Sequence, residues 1–214
     1  DVYKRQDKTF LNWPFFEDHH RALAAQLEDW ATDKLAGVDH SNADTACKQL
    51  VTLLGRAGIL NHSATDPANP GMLDVRSLCL IRETLARHDG LADFAFAMQG
   101  LGTGAISLFG SDTQKFEWLS RTRSGEAISA FALTEPQSGS DVANSTMTAT
   151  EDGKDFVLNG EKTWISNGGI ADVYTLFART GEAPGAKGLS AFILPNGLPG
   201  FEIVERLETI APHP

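Results

Sequence analysis

Two periodicities divide the chain. Up to about residue 124, apolar side chains recur every three to four positions, the spacing that gives a helix one buried face. Phe15–Leu35 places Phe16, Leu23, Leu27, Trp30 and Leu35 on such a stripe, and Asn42–Arg56 repeats it through Leu50, Val51 and Leu54. Gly37 and Gly58 lie just past these segments, where a left-handed cap needs no Cβ. A loop by composition follows over His62–Gly71, and a third helix is expected over about Leu73–His88, starting near Asp74. Leu91–Phe109 is almost wholly apolar or glycine; it reads as a buried helix packed closely on its neighbours, with Gly100, Gly102 and Gly104 at its centre. Ser111 or Asp112 then caps a short helix through Leu119.

Beyond Gly125 the period shortens to two. Strands are expected over Ile128–Leu133, Ser145–Thr150, Phe156–Leu158, Lys162–Ile165, Val173–Ala178 and Leu189–Leu194, with Phe201–Val204 as a further candidate. Glu151–Asp155 reads as a turn, and Asn159-Gly160 as a tight hairpin turn. The expected fold is therefore α+β: an all-α N-terminal domain over residues 1–124, then a mainly antiparallel, barrel-like β domain over 125–214.

Charge narrows the function classes. The chain carries 18 Lys+Arg against 28 Asp+Glu, a formal charge of −10, and neither half holds a basic patch, which argues against a general nucleic-acid binder. No apolar run approaches the roughly 20 residues that cross a bilayer, so no integral membrane segment is expected. The two cysteines, Cys47 and Cys79, show no Cys-x-x-Cys spacing and read as buried thiols of a reducing cytoplasm; no metal is expected. The chain opens at Asp1 and closes on Ala211-Pro212-His213-Pro214, so both ends read as cut, with Asp1–Gln6 resembling a cloning or sequencing artefact.

Two loops carry candidate chemistry. Thr134-Glu135-Pro136-Gln137-Ser138-Gly139-Ser140-Asp141 follows a strand and can offer amides and small hydroxyls to an anionic or heteroaromatic ligand, or can simply be a polar turn. Trp164-Ile165-Ser166-Asn167-Gly168-Gly169 sets an aromatic beside a hydroxyl, one way to seat a flat cofactor, though such an aromatic is more often core. The histidines suggest less: His19 and His20 are adjacent on a helix, read as solvated surface and too divergent to share a metal, and His88 ends a helix beside exposed carbonyls. Gly-x-Ser-x-Gly, the P-loop and Gly-x-Gly-x-x-Gly after a strand are all absent from the sequence.

Taken together, Gly110-Ser111-Asp112-Thr113-Gln114-Lys115, Gly125–Pro136, Ser138-Gly139-Ser140-Asp141-Val142-Ala143 and Asn159–Gly169 resemble the acyl-CoA dehydrogenase family, clearly over 71–214 and more loosely over 7–70. The resemblance implies a three-domain enzyme: N-terminal helices, a middle β domain and a C-terminal four-helix bundle. It implies FAD as cofactor and acyl-CoA as substrate. A carboxylate takes the pro-R α-proton, the β-hydride passes to the flavin, and electrons go on to electron-transfer flavoprotein. A homodimer or homotetramer and a place in fatty acid metabolism are implied with it. Relatives on the same fold include flavin-dependent oxidases and monooxygenases, and a non-catalytic acyl-CoA or flavin binder is a third reading.

Residue by residue, the resemblance places Phe131, Leu133 and Thr134 along the flavin pyrimidine side. It places Gly139 and Ser140 near the pyrophosphate, with Ser140 also near the thioester end of the substrate. Trp164 falls against the isoalloxazine, and Ser166, where many members have threonine, near flavin N5. Phe131 stands where some members have tyrosine, and Ser63–Gly71 departs from the family's Pro…Tyr-Gly-Gly stretch, leaving the acyl class open. The catalytic glutamate is expected in the C-terminal domain, so no base is assigned here; Glu135 reads as structural. The chain by itself is expected to be inactive.

Overall fold

The computed structural model describes residues 7–69, 71–181 and 183–214. The proposed artefact at Asp1–Gln6, and Pro70 of the expected loop, lie outside the described residues.

Among the described residues five α-helices come first: α1 (Asp18–Lys34), α2 (Ala43–Arg56), α3 (Val75–His88), α4 (Gly90–Phe109) and α5 (Asp112–Ser124). Their starts follow local chemistry. Asn42, Asp74, Asp89 and Ser111 each turn a side-chain oxygen onto the first free amides of the helix that follows. The capping box at α1 is unusual, because its reciprocal partner is His20, whose Nδ1 accepts from the Glu17 amide at 3.0 Å. With Nδ1 accepting, Nε2 is the nitrogen that donates to Asp74, at 2.7 Å, and the ring between them is fully buried. This corrects the surface reading of His20. His19 also reaches Asp74, at 3.3 Å, so the two histidines converge after all. Neither His20 nitrogen retains a free lone pair for a metal. His88 meets Glu28 Oε1 at 3.0 Å instead of helix carbonyls. Gly58 is left-handed (φ 72°), whereas Gly37 is not; α1 closes without that device. Cys47 is buried but Cys79 is exposed, and both thiols are free.

Five strands follow: β1 (Ser129–Ala132), β2 (Thr148–Asp152), β3 (Asp155–Asn159), β4 (Val173–Arg179) and β5 (Leu189–Pro195). The sheet is mixed. β4 is its centre, antiparallel to β5 along its whole length, parallel to β1 from Ser129↔Val173, and touching β2 at Thr148↔Arg179. β2 and β3 form a hairpin. Lys162–Ile165 and Phe201–Val204 are not strands, and Asn159-Gly160 closes no hairpin. Gly160 has φ 152°, with Met147 crowding the place of its missing Cβ, so the chain leaves the sheet there.

One core runs through both halves, joining Leu50, Leu54, Leu85 and Phe96 to Ile128, Ala130, Tyr174 and Leu176. Helix α4 makes the joint. Its buried Gln99 donates to the carbonyls of Thr122 (3.1 Å) and Ala127 (2.8 Å) and accepts from the Ser129 amide (2.8 Å). A Cβ on Gly102 would stand 2.5 Å from Ser129 Oγ and 2.9 Å from the Ala130 amide, and Thr175 Oγ1 donates to the Gly102 carbonyl at 2.6 Å. Among the described residues no helix is long and apolar enough to cross a membrane.

Gly102 and Gly104 share one helix and differ in surroundings, since nothing lies within 4 Å of a Cβ at Gly104. Gly104→Ala is expected to stabilise the chain by up to about 1 kcal/mol through helix propensity. Gly102→Ala is expected to destabilise it by roughly 1–3 kcal/mol through overpacking. Urea unfolding of the two variants checks the opposite signs.

Candidate cofactor site

The site begins where β1 ends. Phe131 is half-buried on β1 and packs edge-on against Phe177 of β4, ring centroids 5.2 Å apart. Leu133 and Thr134 continue past the strand, and the chain folds back through a turn in which Glu135 and Ser138 exchange both backbone hydrogen bonds, at 3.0 Å each. That turn leaves Gly139 and Ser140 exposed beyond it, steadied by Ser138 Oγ donating to the Asp141 carbonyl at 2.6 Å.

A second segment, 161–169, is brought to the same end of β1. The Thr163 amide donates to the Thr134 carbonyl at 2.9 Å, and Lys162 Nζ donates to the Leu133 carbonyl at 2.9 Å. The segment that carries Trp164 and Ser166 is therefore tied to the residues that follow β1, across 29 positions of sequence for each bonded pair. Trp164 is held at φ 57° with its side chain 67% exposed. A bulky residue in the left-handed region costs of order 1–3 kcal/mol, and such strain concentrates at functional sites.

Asn167 ends this segment in the same conformation (φ 63°) but fully buried. Its Nδ2 donates to the Ser129 carbonyl at 2.9 Å, its carbonyl accepts from Ile170 and Ala171, and the Cys47 thiol approaches its Oδ1 at 3.8 Å. Burial pushes the Cys47 thiol up to about 12, so it is an inert neutral neighbour.

A buried carboxylate organises both segments. Glu135 accepts from the amides of Thr146 (2.6 Å) and Met147 (3.1 Å), from Gln137 Nε2 (2.8 Å) and from Lys162 Nζ (2.7 Å). Burial opposes its ionisation, yet Lys162 and the two amides outweigh that and hold the carboxyl below its ordinary value of 4.5. Glu135 is thus committed to the scaffold, in line with its structural reading.

The donor set left over suits a flat heteroaromatic ligand. The carbonyls of Leu133 and Thr134 are already used, while among the described residues the Thr134 amide and the hydroxyls of Thr134, Ser140 and Ser166 have no hydrogen-bond partner. An exposed indole adjoins them. The divergent loop after α2 lies elsewhere: with His62, Asp74 and Arg123 it lines a cleft of about 260 Å³ that includes none of these residues.

The N-terminal domain model of acyl-CoA dehydrogenases matches residues 17–126, and the middle domain model matches 130–213. The chain belongs to the acyl-CoA dehydrogenase family. Mitochondrial isovaleryl-CoA dehydrogenase of Pongo abelii is 31% identical over 193 residues, covering 89% of this chain and 46% of that protein. An acyl-CoA dehydrogenase structure from Geobacillus kaustophilus superposes with a TM-score of 0.78 at 28% identity, over 91% of this chain and 52% of that one. A glutaryl-CoA dehydrogenase from Mycobacterium smegmatis, solved in complex with FADH2, matches with a TM-score of 0.73 at 32% identity, over 88% and 48%. The chain spans about half the length of each of these three relatives.

In this member of the family, sequence reasoning leaves out of the candidate site two residues that tie its segments together, Lys162 and Asn167. Alternation had put Lys162 in a strand. The signal for Asn167 was its glycine neighbour, since Asn tolerates left-handed backbone.

Because the folded Glu135 carboxyl is depressed, its contribution is fully present above about pH 4.5 and is lost as pH falls through the lower folded value. Glu135→Gln also strands the Lys162 ammonium, so at pH 7 it is expected to cost roughly 3–5 kcal/mol. Urea unfolding at pH 7 and pH 3 checks this: the gap to wild type narrows in acid.

Proposed function

We propose that this chain supplies the helical domain and much of the cofactor-bearing β domain of an FAD-dependent acyl-CoA dehydrogenase, which converts an acyl-CoA thioester to its 2,3-enoyl form. Electrons then pass to electron-transfer flavoprotein. The observation that carries the reading is Trp164, strained and exposed beside the unpartnered hydroxyls of Thr134 and Ser166. FAD, when bound, supplies the hydride-accepting ring.

The roles of this chain's residues follow from their chemistry. Trp164 offers an apolar face to a planar ring, excluding water from it. The Thr134 amide and the Thr134 and Ser166 hydroxyls are unpartnered donors that would hold a bound flavin and, because a ring gaining electrons becomes more negative, would favour its reduced state as well as binding. Phe131 and Leu133 form an apolar floor at the end of β1. Ser140, with the small Gly139 beside it, is open to an anionic pyrophosphate or to the thioester end of the substrate. No group here is assigned as the base: Glu135, the carboxylate next to the donors, is spent on Lys162 and two amides. The two free thiols accord with a reducing compartment such as the cytoplasm.

The test is an anaerobic titration of the flavin-loaded protein, expressed from its complete gene, with short, medium, branched and aromatic acyl-CoAs. Bleaching of the oxidised flavin band by one group supports the reading and identifies the acyl class. A bound flavin that no acyl-CoA reduces would point to an oxygen-using relative or to a binding role. Trp164→Ala is expected to weaken FAD binding about tenfold, in keeping with a stacking loss of 0.5–1.5 kcal/mol, while Trp164→Phe keeps most of the affinity in a fluorescence titration.

A further inference from the structure

We propose that Lys162 and Glu135 act as positioning residues for the flavin seat, a clamp that fixes the tryptophan-bearing segment against the end of β1. The proposal rests on the flavin reading above and extends it to residues that do not touch the ring.

Three separate stretches of backbone converge on this one pair. Lys162 belongs to the segment that presents Trp164 and Ser166. Its ammonium donates both to the Leu133 carbonyl (2.9 Å) and to Glu135 Oε1 (2.7 Å). Glu135 follows Thr134 directly and accepts from the amides of Thr146 and Met147, the residues leading into β2. Both side chains are withdrawn from water, Lys162 being 7% exposed and Glu135 1%.

Burying an ion pair is a poor way to gain stability, because desolvation cancels most of the attraction, and an apolar pair of similar volume is often as stable or more so. What an apolar pair lacks is direction. An ammonium has three donors at fixed angles, and each bond to a carbonyl or carboxylate sets a height and an orientation. Here those bonds set how far the 161–166 segment stands from Leu133 and Thr134, the spacing between the indole and the Thr134 donors. The left-handed backbone of Trp164 persists only if its neighbours over-determine it. On its N-terminal side that task falls to Lys162, together with the Thr163 amide bonded to the Thr134 carbonyl. On its C-terminal side it falls to buried Asn167.

The test separates fixing the segment from holding the fold. In Glu135→Gln/Lys162→Met both buried charges are gone and an acceptor remains for the Thr146 and Met147 amides. Hydrogen exchange is measured on the flavin-free protein, expressed from its complete gene, at the Thr163 amide that donates to Thr134, with amides of β4 as the internal reference. The expected result is exchange at least tenfold faster at Thr163, β4 unchanged, and FAD affinity reduced at least tenfold. Lys162→Arg, which keeps charge and donors, is expected to stay within about threefold of wild type in both. Unchanged protection at Thr163, or unchanged FAD affinity once protection is lost, overturns the proposal. Should the double variant not fold, Lys162→Gln decides by the same measurement: faster exchange confined to Thr163 supports the clamp, and a uniform rise overturns it. If wild type binds no FAD while the exchange pattern appears as expected, the flavin reading fails and the clamp stands.

Discussion

Everything downstream of residue 90 depends on how closely α4 can approach the sheet. At Gly102 there is no room for a side chain between the helix and Ser129, and the vacancy brings the Gly102 carbonyl within reach of Thr175 on the central strand. Gln99, one turn earlier, meets the carbonyls at the end of α5 and the first amide of β1. A buried primary amide with all its bonds made is both tolerable and highly directional. These contacts fix where β1 starts, and therefore where it stops.

The stopping point is the site. A strand that ends in the open leaves amides without a ladder partner, and the two loops after β1 use the carbonyls while leaving donors outward. The interior of this corner is charged and the exterior apolar and hydroxylic, the reverse of the usual disposition. That inversion is stable because Glu135 is surrounded by donors, so its burial leaves no unpaired charge. The strain at Trp164 is then a local cost carried by a rigid surround.

Much of the helical half was legible because its signals are local. Asn42, Asp74 and Ser111 cap helices where short polar side chains before apolar repeats should; the glycine-rich run is a helix as its composition suggested, but it is buried along one face only, with Leu101, Leu108 and Phe109 exposed. The sheet was legible strand by strand but not in its pairing, since β1 and β4 are parallel partners whose paired residues lie 44 positions apart. Alternation failed at Lys162–Ile165 for a tertiary reason: Lys162 points inward to a carboxylate and Trp164 outward on a left-handed backbone, which mimics a period of two without any ladder. His20 failed similarly, because its buried place depends on Asp74, 54 residues away. The candidate site residues themselves came from the resemblance; what the residues alone suggested was a polar loop and an aromatic.

The asparagine that ends the tryptophan segment bears on how the protein ages. Asn-Gly pairs are the sequences most prone to spontaneous deamidation, through attack of the following amide nitrogen on the side-chain carbonyl. This chain has three, at Asn159, Asn167 and Asn196. The first and last are exposed. At Asn167 the attacking nitrogen of Gly168 is already donating to Ile165, and the side chain is tied to Ser129. Folding thus shields the one pair whose conversion to aspartate would set a carboxylate against the Ser129 carbonyl in the dry core, so chemical damage accumulates first on the rim of the sheet and last beneath the site.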